Sequence, residues 1–341
     1  MIHQRNILVT GGAGFIGSHT ITALVEAGYN PVIVDDFRGA DTTVPNRIEK
    51  IVGFIPSFVI KDVSDKAGLK EVFEQYTFVG IIHFAAYKAV GESVQNPLKY
   101  YRNNLLGLVN TLELALEYNV PNFVFSSSCT VYGEPGEIKE VTEDLPKGFA
   151  ASPYGNTKII GEDILKDVHK SGSHINIISL RYFNPIGAHP SGLIGEFPIG
   201  KPNNLLPMVT GTAIGKFEEI TVFGSDYATT DGTCIRDYIH VMDLANAHVK
   251  AIEFLESGKS SFETINVGTG QGASILRVIQ VFEEVSEVKL NWKFGPRRPG
   301  DVVEIYANAD KANHLLNWYP KYTLEDSVRH AWNWEKKLQD D

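Results

Sequence analysis

The chain has 341 residues, a formal net charge of −10 at pH 7, 43% hydrophobic residues and two cysteines. This acidic balance excludes extended nucleic-acid binding, and two cysteines exclude a disulfide framework. No apolar run reaches the ~18 residues that a membrane helix needs, and no signal peptide is recognised, so we expect a soluble cytoplasmic protein.

Short apolar runs alternate with helical patterns through the first half of the chain. The predicted strands are Asn6–Thr10, Pro31–Asp35, Ser57–Lys61, Gly80–Phe84, Asn122–Ser126 and Asn176–Leu180. The predicted helices are Phe15–Ala27, with Gly28 as its C-cap, and segments near Lys66–Tyr76, Pro97–Tyr118 and Tyr154–Lys170. Buried strands that alternate with helices predict an α/β fold, a doubly wound parallel Rossmann sheet.

From about Asn184 the composition changes. Glycine and proline are frequent through Ile199–Pro207, which is typical of loops and short elements. The later predicted elements are strands at Glu219–Phe223 and Thr264–Val267 and helices near Val241–Leu255 and Ser274–Val285. We therefore predict two domains, residues 1–182 and a smaller α/β substrate-binding domain, residues 183–341, with segments that return to the first.

A glycine-rich turn joins the first predicted strand to the first predicted helix. Gly11 permits the tight turn, and Gly14 lets the backbone approach a pyrophosphate at the positive end of the helix. Gly17 lets the helix pack closely on the strand. Because the pattern lies between a strand and a helix, it predicts a dinucleotide-binding site.

The ends of the next strands carry residues that suit such a ligand. Asp35 ends the second strand, where a carboxylate bonds ribose hydroxyls and repels a 2′-phosphate, and Asp36 adds to this effect. Arg38 could accept a 2′-phosphate, but the two carboxylates favour NAD over NADP. The loops at Asp62–Val63 and Phe84–Lys88 lie at carboxyl ends of strands, the expected ligand crevice.

Tyr154 and Lys158 form the most informative pair in the chain. Among the 14 tyrosines, Tyr154 alone has a lysine four residues on. Positions four apart share a helix face, so the ammonium is expected to lower the pKa of the phenol. The phenol could then take a proton from an alcohol near neutral pH. Hydroxyls of Ser126–Tyr132, after the fifth strand, face the same crevice and could share that proton.

The pattern Gly11-x2-Gly14-x2-Gly17, Ser128 and Tyr154-x3-Lys158 resembles the extended short-chain dehydrogenase/reductases. Later segments resemble one family within this group, the UDP-glucose 4-epimerases. With them, the resemblance covers almost the whole chain. They are HFAAYKAVGES from His83, RYFNPIGAHPSG from Arg181, NNLLP from Asn203, RDYIHVMDL from Arg236 and PRRPGD from Pro296.

The resemblance implies a role for each matching residue, and no Cys/His cluster in the chain has the spacing of a zinc site. Tyr154 would be the catalytic base and acid, Lys158 would lower its pKa and bond the nicotinamide ribose, and Ser128 would share the proton path, with Thr130 nearby. The implied NAD contacts are Gly11, Gly14, Phe15, Ile16, Gly17, Asp35, Asp36, Asp62, Val63, Phe84, Ala85, Lys88, Asn103, Ser128, Tyr154, Lys158 and Tyr182. The implied UDP-sugar contacts are Lys88, Ser128, Tyr154, Asn184, Asn204, Leu205, Phe223, Arg236, Arg298, Asp301 and Ile305.

The implied reaction interconverts UDP-galactose and UDP-glucose through a 4-keto sugar, with tightly bound NAD. Ile305 stands at the position that gates hexose size in relatives, where Tyr restricts N-acetylated sugars and Cys or Ser admits them. UDP-N-acetylhexosamines therefore stay open as further substrates. Relatives pair the helices near Pro97–Tyr118 and Tyr154–Lys170 into a bundle, so a homodimer is expected.

Three other functions remain as alternatives at this point. A nucleotide-sugar 4,6-dehydratase of the same fold needs an acid pair after Thr130, where Val131–Tyr132 stand. A net NAD(P)-dependent reductase would release reduced cofactor into the medium. A non-catalytic NAD sensor or scaffold would not need the set formed by Ser128, Tyr154 and Lys158.

Overall fold

The computed structural model describes residues 5–200, 202–258, 262–298 and 300–340. The strands in these ranges are β1 (Asn6–Thr10), β2 (Asn30–Asp35), β3 (Ser57–Ile60), β4 (Phe78–His83), β5 (Asn122–Ser128), β6 (Glu140–Val141), β7 (Asn176–Tyr182), β8 (Asn184–Ile186), β9 (Ile220–Phe223), β10 (Ile235–His240), β11 (Phe262–Val267), β12 (Gly272–Ser274), β13 (Trp292–Gly295) and β14 (Glu304–Ala307). The helices are α1 (Phe15–Glu26), α2 (Val44–Val52), α3 (Lys66–Gln75), α4 (Val90–Gln95), α5 (Pro97–Glu117), α6 (Pro153–Lys170), α7 (Leu205–Ala213), α8 (Val241–Glu256), α9 (Ile275–Ser286), α10 (Asp310–Leu316) and α11 (Leu324–Asp340), with a 3₁₀ turn at Cys129–Tyr132.

A seven-stranded parallel sheet forms the centre of the first lobe. Its strand order is β11-β7-β5-β4-β1-β2-β3, and every pairing in it is parallel. Both faces are covered, which is why β1 and β5 are buried along their whole lengths. The predicted doubly wound Rossmann sheet is confirmed.

Helices pack on both faces of this sheet. Apolar residues of α1, α2, α8 and α10 join one buried cluster with the sheet, and those of α3, α5 and α6 join the other. Gly28, with a φ of 81°, follows α1 in the left-handed conformation that ends many helices. Chain order reverses between β1 and β4, so the ligand crevice of such a sheet lies at their carboxyl ends.

The second lobe is built mainly from later residues. A five-stranded sheet combines β12, β10, β14 and β6 with β8 on β10, and β9 pairs with β13. Its core packs apolar residues of α7, α9 and α11 against these strands. Yet β11 pairs with β7 at the edge of the central sheet, and α8 packs against α1. The division at residues 182 and 183 stays a prediction.

No helix in the described ranges combines the length and apolar character needed to cross a membrane. Two longer elements of the second lobe were not predicted from the sequence. α7 begins inside the Gly/Pro-rich segment, and α11 carries many charged residues. α11 is a helix because Val328, Ala331 and Trp334 are buried along one stripe of it, a periodicity that its many charges obscure.

Candidate active site

The glycine turn lies at the reversal point of the central sheet. Gly11 has a φ of 70°, and a Cβ there would lie 2.7 Å from the Ala85 nitrogen. A Cβ on Gly17 would lie 2.5 Å from the Gly11 carbonyl oxygen. Gly14 is the N-cap of α1, and no side chain caps that helix. The first amides of α1, including those of Phe15 and Ile16, therefore suit a pyrophosphate.

The end of β2 forms the ribose side of this cradle. Asp35 accepts hydrogen bonds from the Ala13 and Phe37 amides at 2.9 and 2.8 Å, which fix its carboxylate beside the glycine turn. Burial raises the pKa of Asp35 above its usual value, and these two bonds oppose the rise. Both oxygens keep lone pairs for ribose hydroxyls.

Arg38 is held by carboxylates beside Asp35. Its guanidinium pairs with Asp36 and with Asp62, at 2.7 Å from Asp62 Oδ2, and donates to the Tyr87 hydroxyl at 3.0 Å. Two carboxylates thus bind one guanidinium and Asp35 lies next to Asp36 in the chain, so the local charge is negative. This arrangement fits NAD and disfavours the 2′-phosphate that Arg38 alone could have accepted.

Three further predicted NAD contacts lie in the loops after β3 and β4 and on α5. Val63 is buried, and Asn110 donates to its carbonyl at 3.0 Å. The Phe84 ring packs against His248, with ring centroids 4.7 Å apart. Asn103 donates to the Oδ1 of Asn104 at 3.0 Å. Val63 and Phe84 thus follow strands at the carboxyl edge of the central sheet, whereas Asn103 lies on α5.

Tyr154 lies in the first turn of α6, beside the end of β5. Ser152 caps α6 by accepting from the Gly155 amide at 3.2 Å. Lys158 follows one turn later, with its Nζ 5.9 Å from the centroid of the Tyr154 ring. Ser128, the last residue of β5, lies close enough to the Tyr154 phenol to lower its pKa. The sheet and α6 thus bring the three predicted catalytic side chains together.

Lys158 is fixed by the backbone of β5. It is 4% exposed, and its Nζ donates to the Ser126 carbonyl oxygen at 2.6 Å. The hydroxyls of Ser126 and Tyr182 share a hydrogen bond next to it. Tyr182, a predicted NAD contact, is therefore part of the same buried network.

Burial controls the electrostatics of this set. It raises the pKa of Tyr154 to about 12; the nearby Cys129 thiol adds to the rise, and the hydrogen bond with Ser128 opposes it. Burial also lowers the pKa of Lys158 to about 7, and the negative charge of Glu162 partly opposes this decrease. The expected lowering of the Tyr154 pKa by Lys158 is not found among the protein's own groups, because the low-dielectric interior penalises both charged forms.

Apart from Lys88, Ser128 and Tyr154, the predicted UDP-sugar residues lie in the second lobe, in separate groups. Arg236 on β10 is paired in register with Ile305 on β14, and its guanidinium lies 3.6 Å from Asp301. The Arg298 guanidinium stacks over the Phe223 ring at 3.9 Å. Each arginine thus has an anchor that leaves donors for a diphosphate.

Other predicted sugar contacts lie at the ends of short elements. Asn184 begins β8 and is paired with Tyr238 of β10, whereas Asn204 and Leu205 begin α7. Ile305 is 4% exposed and belongs to a buried cluster with Val131, Tyr132, Val141, Phe183 and Ala307, against which Cys129 packs. The Ile305 side chain, at the predicted gate position, is therefore fixed by packing.

Sequence reasoning missed several polar residues that support the site. Asn104 bridges the Tyr87 backbone and the Thr157 hydroxyl, and Glu196 binds Lys88. Glu162 forms a buried bidentate pair with Arg181 behind Lys158. Glu162 could have been found from sequence, because it continues the four-residue spacing of Tyr154 and Lys158. Within the described ranges, no group of three His, Cys, Asp or Glu residues could hold a metal ion.

Comparison with known proteins assigns the family. The family model described as GDP-mannose 4,6 dehydratase matches residues 8–331. UDP-glucose 4-epimerase 2 of Arabidopsis thaliana is 48% identical over 333 residues, which cover 97% of this chain and 95% of that protein. This chain belongs to the UDP-glucose 4-epimerase family.

Solved structures agree with the epimerase family. The UDP-glucose-4-epimerase of Stenotrophomonas maltophila, with bound NAD and formylated UDP-arabinopyranose, superposes with a TM-score of 0.96 at 42% identity and covers 99% of both chains. That of Bifidobacterium longum, in complex with NAD+ and UDP, gives a TM-score of 0.94 at 42% identity, covering 98% of this chain and 99% of that one.

The dehydratase alternative is not favoured within this family. A 4,6-dehydratase needs an acid pair after Thr130, but this chain has Val131 and Tyr132 there, and both are buried. The Tyr132 hydroxyl donates to Asn266 at 2.6 Å, so it is engaged in the core. No carboxyl group stands at these two positions to act on C5 and C6 of a hexose.

Proposed function

We propose that this chain interconverts UDP-galactose and UDP-glucose by oxidation at C4 and re-reduction on the opposite face. The observation that supports the proposal is the grouping of Tyr154 and Lys158 with Ser128 at the end of β5, two strands from β1 and its glycine turn in the same parallel sheet, in a chain of this family. Two structural neighbours, one with NAD and a UDP-pentose and one with NAD+ and UDP, support NAD as cofactor and a UDP-sugar as substrate.

NAD would lie along the crevice from Asp35 to Tyr154. Gly11, Gly14 and the first amides of α1 would bind its pyrophosphate, and Asp35 its adenosine ribose. The loops at Asp62–Val63 and Phe84–Lys88, with Asn103 and Tyr182, would bind the rest. When bound, oxidised NAD supplies a hydride acceptor and a positive charge at the nicotinamide.

Tyr154 would carry the proton in both half-reactions. It takes the proton of the sugar O4, either directly or by way of the Ser128 hydroxyl, while C4 loses its hydride and becomes a ketone. After the keto sugar turns over, C4 regains hydride on its other face and Tyr154 returns the proton to O4. Because burial, with a contribution from the Cys129 thiol, raises the Tyr154 pKa to about 12, the phenol needs nearby positive charge to act as a base near neutral pH.

The second lobe would hold UDP firmly and the hexose loosely. Arg236 and Arg298 would bind the diphosphate with forked donors, and Asp301 could accept from ribose hydroxyls. A loosely held hexose can rotate to present the other face of C4 only while its UDP stays bound. Asn184, Asn204, Leu205 and Phe223 would complete the pocket.

Ile305 would set the size limit beside the hexose. Its side chain is shorter than tyrosine and bulkier than serine, and it is packed in place. We favour UDP-glucose and UDP-galactose as the main pair, with turnover of UDP-N-acetylhexosamines as a slower activity. Equal or faster turnover of the N-acetylated pair would contradict this preference.

A homodimer through α4, α5 and α6 completes the proposal. Val94, Leu98 and Leu106 are 60%, 78% and 42% exposed in the single chain, an apolar set on α4 and α5 that a second copy would cover. Light scattering at micromolar concentration should give twice the mass of one chain, and a monomer mass would contradict the dimer. A cytoplasmic location stays a prediction.

The proposed function is tested with the purified protein. The absorbance and mass of the co-purifying nucleotide should identify NAD, and added UDP-galactose should convert to UDP-glucose without NADH in the medium. Release of NADH or NADPH would support the reductase alternative. Bound NAD without any conversion would support a sensor.

A further inference from the structure

Glu196 lies where the cofactor side of the crevice meets the second lobe. Its Oε1 accepts from the Lys88 ammonium at 3.0 Å and from the Asn204 amide nitrogen at 2.6 Å. Lys88 follows β4 of the central sheet, whereas Asn204 precedes α7 of the second lobe. One carboxylate oxygen thus joins two residues that are proposed to bind the same ligand from opposite sides.

Glu196 is itself held in place by α11. Its side chain is only 11% exposed. Its backbone carbonyl accepts from the Trp334 indole nitrogen at 3.0 Å, and a Cβ on Gly195 would lie 2.3 Å from the same ring. The close packing of Gly195 on Trp334 therefore fixes the position of the carboxylate.

The contact restricts both partners. Lys88 is 62% exposed, and its Nζ lies 6.0 Å from the centroid of the Phe15 ring at the start of α1. A lysine this exposed samples many rotamers unless an anion holds it. Asn204 must turn its amide nitrogen to a carboxylate, which can only accept, so its carbonyl oxygen is left for a ligand donor.

We propose that Glu196 is a positioning residue for the epimerase reaction. It holds Lys88 over the start of α1 and sets the amide orientation of Asn204, so that both bind one UDP-hexose. The proposal rests on the proposed function. Glu196 acts through these two residues and need not touch the substrate.

Glu335 provides a matched control. It is also a poorly exposed carboxylate, at 8%, and it binds Lys216 at 3.0 Å and the Thr210 hydroxyl at 3.0 Å. None of these three residues is a proposed ligand contact. Glu335 lines the same small cavity as Glu196, so replacing it removes an ion pair and a hydrogen bond of the same kind nearby while leaving Lys88 and Asn204 with their carboxylate.

The test compares Glu196→Ala and Glu196→Gln with Glu335→Ala in steady-state kinetics on UDP-galactose. We expect E196A to raise KM about tenfold, as for loss of a hydrogen bond to a charged group, with a smaller change in kcat. E196Q keeps an accepting oxygen and should raise KM by only about threefold. E335A should lower the melting temperature while leaving KM unchanged.

A double-mutant cycle shows whether Glu196 acts through Lys88. In a Lys88→Met background, the E196A effect on KM should fall to less than about half. Full additivity, or a KM for E196A no higher than that of E335A, would overturn the inference. If E196A does not fold, the same cycle is run with E196Q, and an additive or absent effect there overturns it equally. An inactive wild-type protein would instead overturn the proposed function.

Discussion

At the scale of single residues, Tyr154 is the proposed proton carrier, and its burial opposes that role. Its pKa is raised to about 12 by burial, so the protein's own groups hold the phenol in its protonated form. A base that must work near neutral pH therefore depends on positive charge close to it. In the proposed site this charge comes from the nicotinamide of the bound cofactor, because Lys158 alone does not lower the Tyr154 pKa.

Replacing Tyr154 by Phe should abolish turnover and leave the fold intact. We expect kcat to fall by about 10²–10⁴-fold, the usual contribution of a positioned proton carrier, because only the hydroxyl is lost. NAD content and melting temperature should change little. Tyr29→Phe is the control, since Tyr29 is a buried tyrosine whose hydroxyl donates to Glu256 away from the crevice. Near wild-type kcat in Y154F would contradict the assignment.

Lys158 should lower the unfolding free energy of the protein and yet be necessary for activity. Burial lowers its pKa to about 7, so between that value and its ordinary value of 10.5 the unfolded chain binds more protons than the folded one. Stability from this group therefore rises with pH through that window, and the full cost of a buried ammonium applies below it. Lys158→Met should be inactive, yet more stable than wild type by about 1–2 kcal/mol at pH 7.

Urea unfolding at pH 6 and at pH 9 checks the Lys158 prediction. The gain in unfolding free energy for K158M should be larger at pH 6 than at pH 9, because the wild-type penalty is relieved as the lysine loses its proton. A variant that is less stable than wild type at both pH values would show that the hydrogen bond to the Ser126 carbonyl outweighs the cost of burial.

At the scale of elements, the turn between β1 and α1 is the part that the glycines make possible. A Cβ at Gly17 would lie 2.5 Å from the Gly11 oxygen and 2.6 Å from the Gly12 Cα, both backbone atoms that cannot move aside cheaply. Close packing of α1 on β1 therefore sets where the first amides of α1 point.

Gly17→Ala should weaken NAD binding and destabilise the fold together. We expect a loss of about 1–3 kcal/mol in unfolding free energy, as for overpacking, and a lower NAD content after purification. Gly91→Ala on α4 is the control, because a Cβ there meets nothing within 4 Å, and it should gain about 0.5–1 kcal/mol. Full NAD content in G17A would contradict the proposed role of the turn.

The sequence predicted elements well where one local signal was sufficient. β1 and α1 follow from an apolar run, a glycine turn and a helical stripe, and the sheet follows from their alternation. The Lys88–Glu196–Asn204 link could not be predicted, because it depends on Trp334 of α11, far away in the chain, packing on Gly195. The Tyr154 pKa could not be predicted either, since spacing on a helix does not reveal burial.

At the scale of the whole molecule, buried histidines should make the fold sensitive to acid. Burial lowers the pKa of His19, His83 and His240 to about 3 and that of His248 to about 4. Below about pH 6.5 the unfolded chain binds protons that the folded chain does not bind. The unfolding free energy therefore decreases as the pH is lowered, by up to about 1.4 kcal/mol per pH unit for each histidine.

Urea unfolding between about pH 7.5 and 4.5 checks this acid sensitivity. The unfolding free energy should be nearly flat above pH 7 and fall steeply below about pH 6.5. His248→Leu should reduce the slope of unfolding free energy against pH by the contribution of about one proton, because Leu cannot titrate. An unfolding free energy that does not change between pH 7 and 5 would contradict the buried neutral state of these histidines.

In the proposed reaction, the two lobes together hold one sugar whose C4 loses hydride from one face and regains it on the other. The central claim is that hydride leaves C4 of the sugar and returns to C4 of the same sugar, with Tyr154 carrying the proton. The most direct measurement is incubation with UDP-galactose deuterated at C4 in ordinary water. We predict UDP-glucose that retains deuterium at C4, with no NADH in the medium. Loss of the label to solvent, or accumulation of a 4-keto product with released NADH, would contradict the claim.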